Sequence, residues 1–157
     1  MNTLLAFLSI FLIDRFLKAW ALQTLAHTSY APFYGCNLVL TWNKGISWGL
    51  FANDSDWAFY LLVTSISLTI AIFLCYTVRR ALRFQPIIFE TIALVGALSN
   101  LVDRFFYGAV IDFIQLYVGP YSFPVFNIAD VAIFIGAMGM LLHSWQQEQR
   151  GCHKPHD

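Results

Sequence analysis

Candidate chemistry gathers in one stretch, GALSNLVDRFFYGAVIDFIQLYVGPYSFPVFNIAD (96–130), which carries Asn100, Asp103, Asp112 and Asp130. Asp112 stands alone inside AVIDFI, a β-branched, apolar run that offers a carboxylate no capping role. Asp130 has a local explanation: Asn127 as N-cap and the acid at N3 form a capping-box-like start to a helix, with the acid at its positive end. Cap and catalyst are both open readings for it. Two carboxylates brought close in a low-dielectric site do not both ionise easily, so one keeps a proton while the other acts as a base. Such a pair suits peptide hydrolysis, the carboxylate activating water and the acid polarising the scissile carbonyl. We expect Asp112 and Asp130 to be this catalytic pair, separated by about a water-bridged hydrogen-bond span.

The elements that must hold these residues are membrane elements. Of 157 residues, 59% are apolar and only 11% charged, with a mean hydropathy of +0.64, far from the roughly one quarter charged of soluble proteins. Nine basic and nine acidic residues cancel, so no net field recruits nucleic acid. Cys36, Cys75 and Cys152 show no paired spacing, which implies no disulfide framework. The tail CHKPH (152–156) lacks a second ligand cluster and reads as solvated. No metal and no cofactor are expected.

Four apolar segments are long enough to span a bilayer, near 3–22, 57–78, 86–102 and 127–143. The first has neither a basic leader region nor a small-residue cleavage site and reads as a retained span. It contains Asp14 and Lys18 at i,i+4, which can share a face and pair; Arg15 points about 100° away and reads as a snorkelling residue. Arg79, Arg80 and Arg83 mark the loop after the second span as cytoplasmic. Glu90, one turn into the third span, has a sufficient explanation in pairing with that loop or snorkelling. Gly96, Ala97 and Ser99 permit close helix approach, and Asn100, Asp103 and Arg104 follow at i, i+3 and i+4 on one face. Asp103 faces the negative end of its helix, where Lys18 or Arg104 would have to compensate it.

Residues 23–56 are too mixed to span, and an outer β region is expected over about 30–55. NLVLTW (37–42) and ISWGLF (46–51) read as strands flanking a turn at Asn43-Lys44-Gly45, and tryptophans cluster on this side as in an interfacial belt. The expected fold is therefore an all-α integral membrane protein: a single domain over 1–157, a four-transmembrane-helix bundle, with a small β-hairpin or sheet on the outer, periplasmic face. A cytoplasmic tail occupies about 144–157 and both termini are cytoplasmic.

Four motifs in order, DRFLK (14–18), NKGISWG (43–49), GALSNLVDR (96–104) with GAVIDF (108–113), and FNIAD (126–130), resemble the boxes of the bacterial lipoprotein signal peptidases, the signal peptidase II family. The resemblance covers nearly the whole chain. It implies an aspartyl intramembrane peptidase in the bacterial cytoplasmic (inner) membrane, with Asp112 and Asp130 matching the catalytic aspartates. Asp14, Lys18, Asn43, Asn100, Asp103, Arg104 and Asn127 match residues that support the site or bind substrate. The implied substrate is a prolipoprotein whose cysteine carries diacylglycerol, cut just before that cysteine at the outer face, with lipid chains lying between spans; the implied inhibitor is globomycin. Two positions depart from the family pattern: Leu17 stands where Thr or Ser usually precedes the lysine, and Ser99 where glycine is common.

Other classes make different demands. A small transporter or proton relay would distribute its acids through the bilayer depth, whereas Asp103, Asp112 and Asp130 gather at the outer ends. A Ser–Lys hydrolase would need Ser47 or Ser99 beside Lys18 or Lys44, and local spacing supplies no such pair. A divergent paralogue would keep the dyad and change the substrate.

Overall fold

The computed structural model describes residues 2–45 and 56–152. Four helices, α1 (Asn2–Thr24), α2 (Asp56–Leu82), α3 (Ile88–Tyr107) and α4 (Ile128–Cys152), alternate with four short strands, β1 (Tyr30–Phe33), β2 (Cys36–Asn43), β3 (Val110–Val118) and β4 (Tyr121–Ser122). Both α3 and α4 run past the expected segments, the latter through residues 144–152 of the expected tail. Nothing in residues 144–152 breaks the helix: the run SWQQEQRGC has no proline, and its Gln and Glu are good helix formers.

Side-chain placement is inverted relative to a water-soluble domain. Asp14, Lys18, Glu90 and Asp103 are buried, while Leu4, Leu12, Phe16, Leu68, Ile72, Phe134 and Leu141 face outward. Apolar groups outside and paired charges inside are what a hydrocarbon solvent selects. Among the described residues, α2 and α4 are long and apolar enough to cross a membrane by length and composition. α1 and α3 carry the buried charges instead.

α3 is the hub, packing against α1, α2 and, most extensively, α4. Glycine makes the α3–α4 contact possible. A Cβ at Gly96 would lie 2.3 Å from the Ala129 carbonyl oxygen, and one at Gly136 would lie 2.6 Å from the Phe89 carbonyl oxygen. These backbones approach closer than any side chain permits.

The strands form one antiparallel sheet in the order β1-β2-β3-β4. NLVLTW is indeed a strand, within β2, but its partners among the described residues are β1 and β3; ISWGLF lies outside the described residues. The turn that closes a hairpin onto β2 is Tyr34-Gly35, with Gly35 at φ 94°. Sequence gave β1 little support because it contains Pro32; at the sheet edge the missing N–H costs nothing.

A register shift between Leu38 and Thr41 puts one extra β2 residue against β3. Beyond it Thr41 opposes Asp112 and Asn43 opposes Val110, so Asn43 shares a face with Asp112 as its diagonal neighbour. Without the extra residue, the alternation of side chains would turn Asn43 to the other face. A small apolar core of Ala21, Leu25 and Phe113, with Leu17 packed against it, joins the end of α1 to the sheet. The departure at Leu17 thus contributes to packing.

Candidate active site

Three elements converge where α3 ends. Gly108, at φ 70°, terminates α3 in a left-handed cap, an inexpensive conformation only for glycine. The chain turns at once into β3, which carries Asp112. The segment before α4 is stapled to β3: the Phe113 and Ile114 amides donate to the Phe126 carbonyl, and the Phe126 amide donates back to the Ile114 carbonyl. That staple sets Asn127, the next residue, beside Asp112.

Asn127 has no exposed surface and is bonded to both acids of interest. Its Nδ2 donates to Asp112 Oδ1 (2.6 Å), its backbone N–H to Asp130 Oδ2 (3.1 Å), and its Oδ1 accepts from the Asp130 N–H (2.9 Å). The last two bonds are a reciprocal capping box. Asp130 is therefore a cap, and the cap fixes the orientation of its carboxylate. Its other oxygen, Oδ1, accepts from Asn100 Nδ2 (2.8 Å), while Asp112 Oδ2 accepts from Asn43 Nδ2 (3.0 Å). Each carboxylate is thus held by two N–H donors, all of them neutral amides.

The other two acids are held differently. Lys18 Nζ, fully buried, lies 2.9 Å from Asp14 Oδ2 and 2.7 Å from Asp103 Oδ2, and Arg15 also pairs with Asp103. Of the two cations expected to compensate Asp103, Lys18 rather than Arg104 does so, and Arg15 joins it. The snorkelling reading of Arg15 is overturned by its pairing with Asp103 and its bond to the Ser99 carbonyl (3.3 Å). The available signal was its i,i+3 spacing from Lys18, which makes the two neighbours on one helix face. Ser99, the departure from glycine, donates to Asp14 Oδ2 (2.6 Å) and is buried. Asp14 Oδ1 in turn accepts from the Ala129 N–H (2.9 Å), so α1 supplies a second cap to α4.

The two layers meet at Asn100. Its Oδ1 accepts from Lys18 Nζ (2.8 Å) and Asn127 Nδ2 (3.1 Å); with the carbonyl end thus occupied, the amide end must face Asp130. Asp103 Oδ2 also accepts from the Ile111 N–H (3.3 Å), anchoring β3 one residue before Asp112. Arg104 is 9% exposed and donates to the carbonyls of Gly45 (3.2 Å) and Asn100 (3.5 Å).

Asp112, Asp130, Asn43, Asn100 and Arg104 all line one cavity of about 990 Å³, which continues between the helices along Ile66, Ala97, Ile133 and Ala137. It offers a polar end with two acids and an apolar extension, a shape suited to a substrate with a hydrophobic segment. Burial pushes the Asp112 carboxyl from its ordinary 3.8 up to about 6. The Asn43 amide lowers it, the Asp130 charge raises it further, and the Asn127 amide and the Lys18 charge oppose the rise. A buried acid poised near neutrality in a cleft is a functional-site signature. At the opposite end of α3, Glu90 pairs with Arg80 at 2.9 Å, as its position one turn into the helix led us to expect.

Residues 6–146 match the family model described as signal peptidase (SPase) II. The lipoprotein signal peptidase of Methylorubrum extorquens (strain PA1) is 37% identical over 152 residues, covering 94% of this chain and 87% of that protein. The lipoprotein signal peptidase of Wigglesworthia glossinidia brevipalpis is 38% identical over 133 residues, covering 84% and 86%. Two solved structures, each described as a bacterial membrane enzyme, share the fold: one with a TM-score of 0.76 at 21% identity over 99% of this chain and 94% of that one, the other with 0.72 at 24% over 90% and 91%.

Proposed function

The chain belongs to the signal peptidase II family, and from that premise we propose that it removes the signal peptides of prolipoproteins with Asp112 and Asp130 as its catalytic pair. The observation that carries the assignment is Asn127, one buried residue whose side-chain amide bonds the Asp112 carboxylate and whose backbone N–H bonds that of Asp130, both acids lining one cavity. One proton is shared by the two acids. The ionised member takes a proton from water as the water oxygen attacks the scissile carbonyl, and the protonated member donates to the carbonyl oxygen. Collapse of the tetrahedral intermediate breaks the C–N bond and passes a proton to the departing amine. The pair then again holds a single proton.

In this reading all four helices cross the cytoplasmic membrane, with both termini inside and the sheet at the outer face. The buried ion pairs of α1 and α3 support it, since they let charged helices present apolar faces to lipid. The apolar extension of the cavity would take the hydrophobic part of the signal peptide, and the lipid chains on the cysteine would lie between helices. Globomycin would occupy the same cavity. Asn43, Asn100 and Asn127 hold the acids, whereas Asp14, Lys18 and Asp103 hold Asn100, α4 and β3. Family membership decides against the transporter reading; the Ser–Lys alternative loses Ser99, which is buried and donates to Asp14, and Ser47 lies outside the described residues.

The test is mass spectrometry of the products made by purified protein in detergent from a prolipoprotein with and without diacylglycerol on its cysteine. Cleavage of the lipidated form immediately before that cysteine is the expected result. Absence of cleavage by folded protein, or equal cleavage of both forms, would overturn the substrate assignment.

A further inference from the structure

Among the described residues Arg104 has no contacting carboxylate. Among the described residues Asp14 and Asp103 take Lys18 and Arg15, Glu90 takes Arg80, and Asp112 and Asp130 are bonded to amides. Among the described residues the Arg104 guanidinium donates to two backbone carbonyls, and its buried Nε–H has no partner. A buried cation without a contacting anion is expensive to maintain. Here it lines the same cavity as the two acids, where two neutral acceptors fix its position and leave N–H donors unused.

The reaction itself creates an anion at that place. Hydrolysis adds the elements of water across the C–N bond: the acyl carbon gains the water oxygen and becomes a carboxylic acid, and the leaving nitrogen gains a proton to become an amine. Transfer of the acid's proton to that amine leaves a carboxylate and an ammonium. The new carboxylate is born beside Asp112 and Asp130, which repel it. A guanidinium offers it charge and paired N–H donors.

We propose that Arg104 is the receptor for the C-terminal carboxylate of the cleaved signal peptide, so that the freed peptide is retained as a competitive product inhibitor. This deepens the dyad reading and rests on it. Unreacted substrate has no such carboxylate, so the interaction selects product over substrate, and departure of the signal peptide rather than bond cleavage limits turnover when that peptide accumulates.

The experiment measures direct binding of two synthetic peptides to the full chain in detergent micelles at neutral pH. Both carry the signal-peptide sequence up to the cleavage point; one ends in a free carboxylate and the other in a carboxamide. Wild type should bind the acid at least about tenfold more tightly than the amide, as a charge-assisted contact warrants. Arg104→Gln should bring that ratio to one or below, and Arg104→Lys should restore part of it. Equal binding of acid and amide by wild type overturns the proposal whether or not the variants fold, and so does a tenfold preference that survives in Arg104→Gln. Because binding is read without turnover, Asp112→Asn separates the two claims: its cleavage of prolipoprotein bears on the dyad, and its preference between the two peptides bears on Arg104.

Discussion

One end of the bundle holds two pairs of acids built on opposite principles. Asp14 and Asp103, on α1 and α3, contact Lys18 and Arg15; Asp112 and Asp130, on β3 and α4, contact Asn43, Asn100 and Asn127. A carboxylate touching an ammonium or guanidinium is a poor place to keep a proton. One held by neutral amides is oriented with no cation in contact with it. The first pair is therefore suited to fixing helices together and the second to exchanging protons. Burial alone does not distinguish them, since Asp112 is as deeply enclosed as Asp14; the identity of the donor does.

The comparison can be broken first at Lys18. Lys18→Met strips the cation from Asp14 and Asp103 and frees the Asn100 amide, and removing one partner of a buried ion cluster costs about 3–5 kcal/mol. We expect a large fall in the thermal unfolding midpoint in detergent; a loss below about 1 kcal/mol would make the cation layer dispensable.

A smaller effect separates the site from the scaffold along one interface. Gly96→Ala sets a Cβ 2.3 Å from the Ala129 carbonyl oxygen, and Gly139→Ala sets one 2.1 Å from the Phe89 ring. Each should cost about 1–3 kcal/mol of stability. Only Gly96→Ala pushes on the turn that carries Asn127 and Asp130, so cleavage by the folded fraction should fall for it and persist for Gly139→Ala.

The smallest effect sharpens the amide side. Asp112 keeps its proton up to about pH 6, so kcat/KM should decline as pH rises through that value and the pair loses its shared proton. Folding stability should likewise fall between about pH 4 and pH 6, because the folded state binds the proton more tightly than the unfolded one. Asn43→Ala deletes a hydrogen bond that favours the ionised carboxylate, which moves the decline to higher pH by about one unit. A decline that stays in place, or moves to lower pH, would show that Asn43 does not tune the pair.

The helices were legible in sequence because apolar length is a local signal; AVIDFI, noted only as a β-branched apolar run, contributes to β3, outside the β region expected over 30–55. Strand partners were not. Pairing in a sheet is non-local: β2 pairs with β3, which follows more than sixty residues later, while the second strand of the hairpin expected around Asn43-Lys44-Gly45 lies outside the described residues. Asp112 was visible as an acid lacking a structural reason, whereas cap and catalyst were both open for Asp130; it is a genuine cap, and the cap gives its carboxylate one orientation. Arg15 was missed because an angular argument from Asp14 considered the wrong neighbour. Ser99 drew attention only as a departure from glycine; its bond to Asp14 crosses between helices and leaves no trace in spacing.

The central claim is that the amide-held acids act and the cation-held acids support. The direct measurement is prolipoprotein cleavage and thermal unfolding, side by side, for Asp112→Asn, Asp130→Asn, Asp14→Asn and Asp103→Asn. The first two should keep an unfolding midpoint near wild type and lose at least about a thousandfold in cleavage. The last two should lose stability while their folded fraction still cleaves. Cleavage above about a tenth of wild type in folded Asp112→Asn or Asp130→Asn would contradict the account.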